Sequence, residues 1–311
     1  METKGMRDAF GAALVEIGKS NDKLMVLDAD VSSSTRSGLF GKAYPDRFFN
    51  VGVAEANMVD IAAGMATCGY RPVVSAFAIF LALKATDQIR NVVCYNNLNV
   101  IIAGGYSGLS DSFDGASHQS ITDLAIMRAF PNMTVLVPAH ADDVTSALEQ
   151  ALNINGPVYI RMCRNPSPVL NKKPLMIGKA EILAEGKNVT IGACGITIPM
   201  VLEAAGLLAE KGIAADVLDL GSLKPLDIDA ILTSAKKTGC FLTVEEHSIH
   251  GGLGSAVSEV LVKSNPVPMD FVGIDDCFTE SGPYVDLLDK YGISVTAIVA
   301  KAEALVGKTS Q

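Results

Sequence analysis

The sequence FFNVGVAEANMVDIAAGMA, residues 48–66, contains the strand-to-helix transition from which we predict the rest of the fold. Its apolar start is typical of a buried β-strand that ends near Gly52, and Glu55 begins the helix that follows. Ligands of parallel α/β sheets bind beyond the carboxyl ends of the strands, where this carboxylate stands. Taken alone, Glu55 is better explained as an acidic residue at a helix N-terminus, where a negative charge complements the helix dipole.

On both sides of this stretch, short apolar strands alternate with helices. Such continuous apolar strands indicate a mostly parallel sheet that is covered on both faces. We therefore predict a doubly wound α/β domain over residues 1–164. Its predicted helices span residues 6–18, 55–67, 79–94, 119–129 and 141–152, and its strands span residues 24–27, 48–51, 72–75, 99–103, 134–137 and 158–160.

A second, smaller doubly wound α/β domain is predicted over residues 178–311. The aperiodic sequence NPSPVLNKK indicates a linker over residues 165–177. The second domain is expected to open with a hairpin and to end with two helices. The hairpin strands span residues 178–185 and 187–193, the later strands 215–218, 241–245 and 269–272, and the helices 198–211, 227–237 and 253–263.

Composition excludes several classes of function. The net charge of -9 argues against binding to nucleic acids or anionic membranes, because both require a basic face. The first ten residues lack the apolar core of a signal peptide, and the longest apolar stretch, residues 72–83, is too short to cross a bilayer. Six widely spaced cysteines without a CxxC pair are typical of free thiols in a reducing cytoplasm, so we expect a cytoplasmic protein.

Common catalytic motifs are missing or incomplete. GGYSGL has leucine where a hydrolase nucleophile elbow requires its last glycine. GGLGSAV lacks the final glycine of a dinucleotide-binding loop, and the sequence contains no P-loop. The usual hydrolase and nucleotide-binding functions are therefore excluded.

Several motifs resemble the transketolase family in the family's order. Residues 48–66 resemble the F-x-x-x-G-[IV]-x-E-x-x-M signature of its pyrimidine domain. SAFAIFLALKATDQIRN resembles its aromatic strand-to-helix segment, DGASHQS its D-G-x-[ST]-H-Q loop, and MRAFPNMTVLVPAHADDV its R-x-x-P-N-M-x-V-x-x-P-x-D block. GSLKPLD and TVEEHSIHGGLGS resemble the C-terminal domain that transketolases share with 2-oxoacid dehydrogenase β subunits. The resemblance covers nearly the whole chain and implies a thiamine-pyrimidine-binding domain followed by a smaller transketolase C-terminal domain.

The resemblance implies thiamine diphosphate as cofactor and assigns four residues to it. Glu55 would hydrogen-bond N1′ of the aminopyrimidine and shift the ring to its imino tautomer, which supplies the base that deprotonates the thiazolium. Phe77 and Phe80 would stack on the pyrimidine. Asp30 would lie near the thiazolium ring and the subunit interface.

The resemblance also assigns the substrate contacts. His118 would contact the reacting carbonyl region and assist proton transfer, and Asp114 would bind a ketose hydroxyl. Arg7, Ser34 and Arg164 fall at positions that hold the distal phosphate in sugar-phosphate transketolases, a duty that suits bidentate guanidinium groups. Arg161 is an alternative for Arg164 in that role.

Three residues depart from the family pattern. YSGLSDSFDG stands where the family reads roughly H-D-S-I-G-x-G-E-D-G, so that Tyr106 replaces a phosphate-contacting histidine and Phe113 replaces a glutamate. Leu83 stands where family members often place another aromatic residue. Tyr106 would therefore contact the substrate tail, and a non-standard ketose with a phosphate or another anion is expected.

The sequence contains no G-D-G motif, which in thiamine enzymes anchors the diphosphate through a metal ion. We therefore expect no metal site in this chain. The resemblance implies an N-terminal transketolase subunit that carries the motif, holds Mg²⁺ (or Ca²⁺) and completes an α2β2 heterotetramer.

The expected function is transfer of a two-carbon ketol unit from an anionic ketose to an aldose, in carbohydrate metabolism of the pentose phosphate type. Three alternatives remain open. These are the β subunit of a 2-oxoacid dehydrogenase, a synthase resembling 1-deoxyxylulose-5-phosphate synthase, and a non-catalytic regulatory or assembly subunit.

Overall fold

The fold, described here from a computed structural model over residues 2–309, confirms two doubly wound α/β units. The first unit contains β1 (Thr3–Lys4), α1 (Met6–Gly18), β2 (Leu24–Asp28), α2 (Ser32–Thr35), α3 (Gly38–Ala43), β3 (Phe48–Asn50), α4 (Glu55–Thr67), β4 (Arg71–Phe77), α5 (Ala78–Lys84), β5 (Ile101–Gly105), α6 (Asp123–Ala129), β6 (Thr134–Leu136), α7 (Ala141–Ala151), β7 (Val158–Arg161) and β8 (Ser167–Pro168).

The second unit continues the alternation of strands and helices. It contains β9 (Glu181–Ala184), β10 (Val189–Ala193), α8 (Ile198–Glu210), β11 (Ala215–Asp219), β12 (Ser222–Lys224), α9 (Ile228–Thr238), β13 (Phe241–Ser248), α10 (Leu253–Ser264), β14 (Met269–Ile274), α11 (Tyr284–Lys290) and α12 (Val295–Thr309). No helix among residues 2–309 is long and apolar enough to cross a membrane.

Each unit is built on one main sheet. The first sheet has seven strands in the order β12-β6-β7-β5-β4-β2-β3, and they run parallel except for β12, which the second unit contributes antiparallel to β6. The second sheet has the order β14-β13-β10-β11-β9, with β9 antiparallel to β11. Parallel pairing places the carboxyl ends of β2, β3, β4, β5 and β7 along one edge of the first sheet, where ligands bind in such folds.

The predicted hairpin at the start of the second unit is wrong. β9 pairs with β11, while β10 lies between β11 and β13. All five residues of β10 are buried, whereas β9 is only partly buried. An apolar strand such as β10 is stable in the middle of a parallel sheet, and this position separates it from its neighbour in sequence.

Two predicted helices begin or end elsewhere. The helix predicted over residues 79–94 ends as α5 at Lys84, and a π-helix follows over Gln88–Cys94. The helix predicted over residues 119–129 begins only at Asp123, and the Gln119 side chain donates to the Ser112 and Glu280 carbonyl oxygens. The contact with Glu280 joins residues far apart in sequence, which local periodicity does not encode.

The two units share buried contacts. One hydrophobic cluster includes Leu27 and Val74 of the first unit together with Leu218 and Phe241 of the second. In the predicted linker, Lys172 Nζ lies 2.8 Å from Asp143 Oδ1 and 3.1 Å from Asp219 Oδ2, so a buried lysine pairs with a carboxylate from each unit. The linker is therefore an ordered part of the contact between the units.

Candidate active site

The carboxyl edge of the first sheet collects five of the ten site residues that the sequence predicted. Each follows a different strand directly or after a short turn, so the parallel arrangement alone places them along one edge. They are Asp30 after β2, Glu55 after β3, Phe77 at the end of β4, Tyr106 after β5 and Arg164 after β7.

Glu55 lies at the first position of α4, as predicted, and its side chain is only 5% exposed. Its Oε1 lies 3.3 Å from Lys84 Nζ, the last residue of α5. Lys84 Nζ also lies 4.1 Å from the centroid of the Phe80 ring. Glu55 and Phe80 therefore face a common point, which the half-exposed ammonium of Lys84 occupies in this structure.

Four predicted residues form one aromatic cluster beside that point. The Phe77 ring stacks on Phe80 with centroids 5.9 Å apart and on Tyr106 with centroids 4.3 Å apart. The His118 ring meets Phe80 edge-on at 5.1 Å, and the Ser117 hydroxyl lies 3.0 Å from His118 Nδ1. The structure thus brings His118 to the two phenylalanines across about forty residues of sequence.

Tyr106 joins this cluster to two arginines. Arg7 Nη1 donates a 2.8 Å hydrogen bond to the Tyr106 hydroxyl, and the Arg164 guanidinium lies 5.2 Å from the ring centroid. Tyr106 adopts a positive φ of 57°, which is uncommon for an aromatic residue and turns the chain sharply after β5. Two guanidinium groups thus lie close to one phenol, an arrangement suited to an anion.

Three predicted residues contribute less directly. Ser34 meets Arg7 through its backbone carbonyl, which accepts from Arg7 Nη1 at 3.3 Å. Asp30 is exposed and accepts a 2.9 Å hydrogen bond from Asn50 Nδ2. Asp114 is also exposed.

Asp111 is a site residue that the sequence reasoning missed. Its side chain is buried, and its Oδ1 lies 3.7 Å from Arg164 Nη1. Burial and then the neighbouring Asp114 raise the pKa of Asp111 to about 6, above the ordinary range of a carboxyl group. The sequence feature that could have identified Asp111 is its position three residues before Asp114, in a loop that already departs from the family pattern.

Two family models together match nearly the whole chain. The model described as "Transketolase, pyrimidine binding domain" matches residues 2–168, and the model described as "Transketolase, C-terminal domain" matches residues 178–298. The chain belongs to the transketolase family. Enzymes of this family depend on thiamine diphosphate, and the chain is a component of a transferase-type enzyme.

Transketolase sections and subunits of similar length resemble this chain. A putative transketolase C-terminal section from Methanocaldococcus jannaschii is 42% identical over 305 residues, 96% of this chain and 95% of that protein. A 6-deoxy-6-sulfo-D-fructose transketolase subunit from a Clostridium species is 40% identical over 304 residues, 97% of this chain and 94% of that protein. A solved split gene transketolase, described as an inactive beta4 tetramer, is 47% identical with a TM-score of 0.90 and covers 97% of this chain and 98% of its own.

Arg161, the alternative anion ligand in this transketolase chain, is unavailable to a substrate. It is buried, and its Nε donates to Asp123 Oδ2 at 2.8 Å, while its Nη2 donates to the Ser120 and Glu246 carbonyl oxygens. Burial alone would raise the pKa of Asp123, but the Arg161 guanidinium lowers it below the usual value. Arg161 therefore links the two domains, and Arg164 is the arginine that reaches the site.

Proposed function

We propose that this chain is the pyrimidine-binding and C-terminal subunit of a two-subunit transketolase. With thiamine diphosphate, the enzyme transfers a two-carbon ketol unit from an anionic ketose to an aldose. The proposal rests mainly on the common point that Glu55 and Phe80 face.

The residues at that point fit the aminopyrimidine of the cofactor. Lys84 Nζ makes two contacts there, one with the Glu55 carboxylate at 3.3 Å and one with the Phe80 ring at 4.1 Å. A flat heterocycle with a basic ring nitrogen can make the same two contacts, edge-on with the carboxyl and face-on with the ring. Glu55 would hold a proton at N1′ of that ring. The bound cofactor supplies the nucleophilic carbon chemistry that no side chain here provides.

The neighbouring residues fit an anionic ketose. His118 stands at the edge of the aromatic cluster, where it can exchange a proton with the reacting part of the substrate. Arg7 and Arg164, which both lie beside Tyr106, would hold an anionic tail at the far end. The substrate would thus extend from His118 toward the two arginines.

An exposed apolar surface beside the site supports a partner subunit. Val53, two residues before Glu55, is 71% exposed, and Leu83 and Phe278 are 55% and 89% exposed. Exposed large apolar residues that cluster around a binding site mark interaction surfaces. The similarity to a transketolase C-terminal section and a transketolase subunit also supports a partner subunit. The partner would carry the G-D-G motif, hold Mg²⁺ or Ca²⁺ with the diphosphate, and form an α2β2 assembly.

The test is co-expression with a candidate partner that contains G-D-G, followed by assays with thiamine diphosphate, Mg²⁺ and a panel of ketoses and 2-oxo acids. Ketol transfer by the purified complex is expected. Glu55→Gln should lower kcat at least 100-fold, the scale of losing a positioned acid–base group. Asp60→Asn, an exposed carboxylate of the same helix, is the matched control and should leave kcat unchanged.

Two outcomes would overturn the proposal. Turnover of 2-oxo acids without ketol transfer would assign the chain to an enzyme resembling a 2-oxoacid dehydrogenase. Equal activity of Glu55→Gln and the unaltered complex would leave this chain with an assembly role.

A further inference from the structure

The C-terminal domain holds the loop over residues 106–118, the substrate loop. This loop carries Tyr106, Asp111, Asp114 and His118. Near its start, the Leu109 amide donates a buried 2.8 Å hydrogen bond to Glu246 Oε1 on β13. This contact joins residues 137 positions apart.

The backbone beside this hydrogen bond fits closely around the carboxyl group. Gly108 has φ +61°, and a Cβ placed there would lie 2.3 Å from Glu246 Cδ. Any residue other than glycine would therefore collide with the carboxyl group and would also adopt an unfavourable backbone conformation. Because Gly108 has no side chain, the loop backbone can lie directly against the Glu246 carboxyl group.

Other contacts hold the far part of the loop to the same domain. The Gly282 amide donates to the Ser112 carbonyl at 3.0 Å, and Gln119 Nε2 donates to the Glu280 carbonyl at 3.0 Å. The contacts at Ser112 and Gln119 involve backbone groups and a side-chain amide. The contact at Leu109, by contrast, involves the acidic side chain of Glu246. Its second oxygen, Oε2, is buried, and the Tyr284 hydroxyl is the side-chain hydrogen-bond donor that lowers the pKa of Glu246. Burying a carboxyl group costs folding free energy, so its retention here calls for an explanation.

We propose that Glu246 is a positioning residue through which the C-terminal domain holds the substrate loop against the arginines. The loop's role toward substrate rests on the proposed function, but its attachment to Glu246 does not. When the anchor is intact, Tyr106 stands beside Arg7 and Asp111 beside Arg164. When it is lost, these side chains move with the loop, although none of them touches Glu246.

The anchor should weaken as the pH rises through neutrality. Burial raises the pKa of Glu246 to about 7, while Arg161, the Leu109 amide and the Tyr284 hydroxyl lower it and Asp123 raises it further. The Cys163 thiol lies beside the Tyr284 hydroxyl at 3.7 Å, and burial raises the pKa of Cys163 to about 12, so it remains neutral in this range. An ionised carboxyl group is more stable in water, where its pKa returns to the ordinary range, so ionisation of Glu246 favours release of the loop. The loop is therefore held most firmly below about pH 7.

The test is hydrogen exchange, followed by mass spectrometry, on the full-length chain with and without its partner. In Glu246→Ala, peptides that cover residues 106–113 should exchange about 10- to 100-fold faster, the range expected for loss of a hydrogen bond to a charged group. Glu246→Gln keeps an acceptor but cannot ionise. It should remove the fall in loop protection that the unaltered chain shows as the pH rises from 6 to 8, after correction for intrinsic exchange.

Glu245→Gln is the matched control. Glu245 is an equally buried glutamate on the same strand, but its oxygens accept from the Leu253 and Gly254 amides of α10 at 2.7 and 2.8 Å. Its exchange effect should stay at the start of α10. Unchanged loop exchange in Glu246→Ala, or the same pH dependence in Glu246→Gln as in the unaltered chain, would overturn the proposal.

The assembled complex supplies a second readout. Glu246→Ala should raise KM for the ketose about 10-fold or more with an unchanged affinity for thiamine diphosphate, because Glu246 touches the loop and not the Glu55 region. Faster loop exchange with an unchanged KM would overturn the substrate part of the inference. An inactive complex of the unaltered chain with the exchange effects intact would instead refute the proposed function and leave the anchor standing.

Discussion

Lys84 Nζ lies 3.3 Å from Glu55 Oε1, so the carboxylate that is proposed to bind the cofactor already has a cationic partner in this structure. Lys84 is about half exposed, whereas Glu55 is buried. The lysine can therefore move into solvent while the glutamate stays in place. Binding of the aminopyrimidine at Glu55 would require that movement.

Lys84→Ala should strengthen binding of thiamine diphosphate by the assembled complex, because a competing ion pair is removed. Partly exposed ion pairs contribute up to about 1 kcal/mol, so the dissociation constant should fall about two- to fivefold. Titration of the complex with cofactor, followed by calorimetry, measures the change. Lys42→Ala on α3 is the control, and weaker binding in Lys84→Ala would show that the lysine assists the cofactor instead.

Arg161→Met should destabilise the chain and not merely impair substrate binding. The substitution leaves the Asp123 carboxylate buried without its cation, which typically costs about 3–5 kcal/mol in the free energy of unfolding. Chemical denaturation measures this loss. The exposed pair Arg36–Asp8 provides a control, because Arg36→Met should cost less than about 1 kcal/mol. If both substitutions cost the same, the buried pair is not a major stabilising contact.

Arg164→Met should raise KM for an anionic ketose about 10- to 100-fold in the assembled complex, since it removes charge-assisted hydrogen bonds to the substrate tail. A neutral ketose of the same chain length should be affected much less. Arg164→Lys should fall between these cases, because lysine keeps the charge and loses the planar fork. An equal loss with charged and neutral ketoses would contradict an anion-binding role.

Asp111 should make the affinity for an anionic ketose depend on pH. Because its pKa is raised to about 6, Asp111 becomes neutral as the pH falls through that value and ceases to compete for Arg164. Affinity should therefore increase about two- to fivefold between pH 7.5 and pH 5.5, the scale of a partly exposed ion pair. A sulfonated ketose is the appropriate ligand, because its charge stays constant over this range. Asp111→Asn should remove the dependence, and a variant that retains it would exclude Asp111 as its source.

Most helices and strands were predictable because local periodicity encodes them. The helices α1 and α4 were predicted with the bounds that the structure shows. The hairpin was wrong because pairing partners are chosen by burial in the sheet: β10 lies among parallel strands and leaves β9 to pair with β11. The short β12 was missed because three residues at the edge of the other unit's sheet carry no periodic pattern.

For the candidate site, the sequence by itself determined the members that follow strands, including Glu55, Phe77 and Tyr106, since the carboxyl ends of parallel strands necessarily share an edge. It also determined family membership through several motifs in order. Only the tertiary structure decided which side chains meet them: Lys84 at Glu55 across 29 positions and Glu246 at the substrate loop across 137. Such pairs depend on how helices and domains pack, and the energy of a contact between distant residues has no local pattern from which it could be predicted.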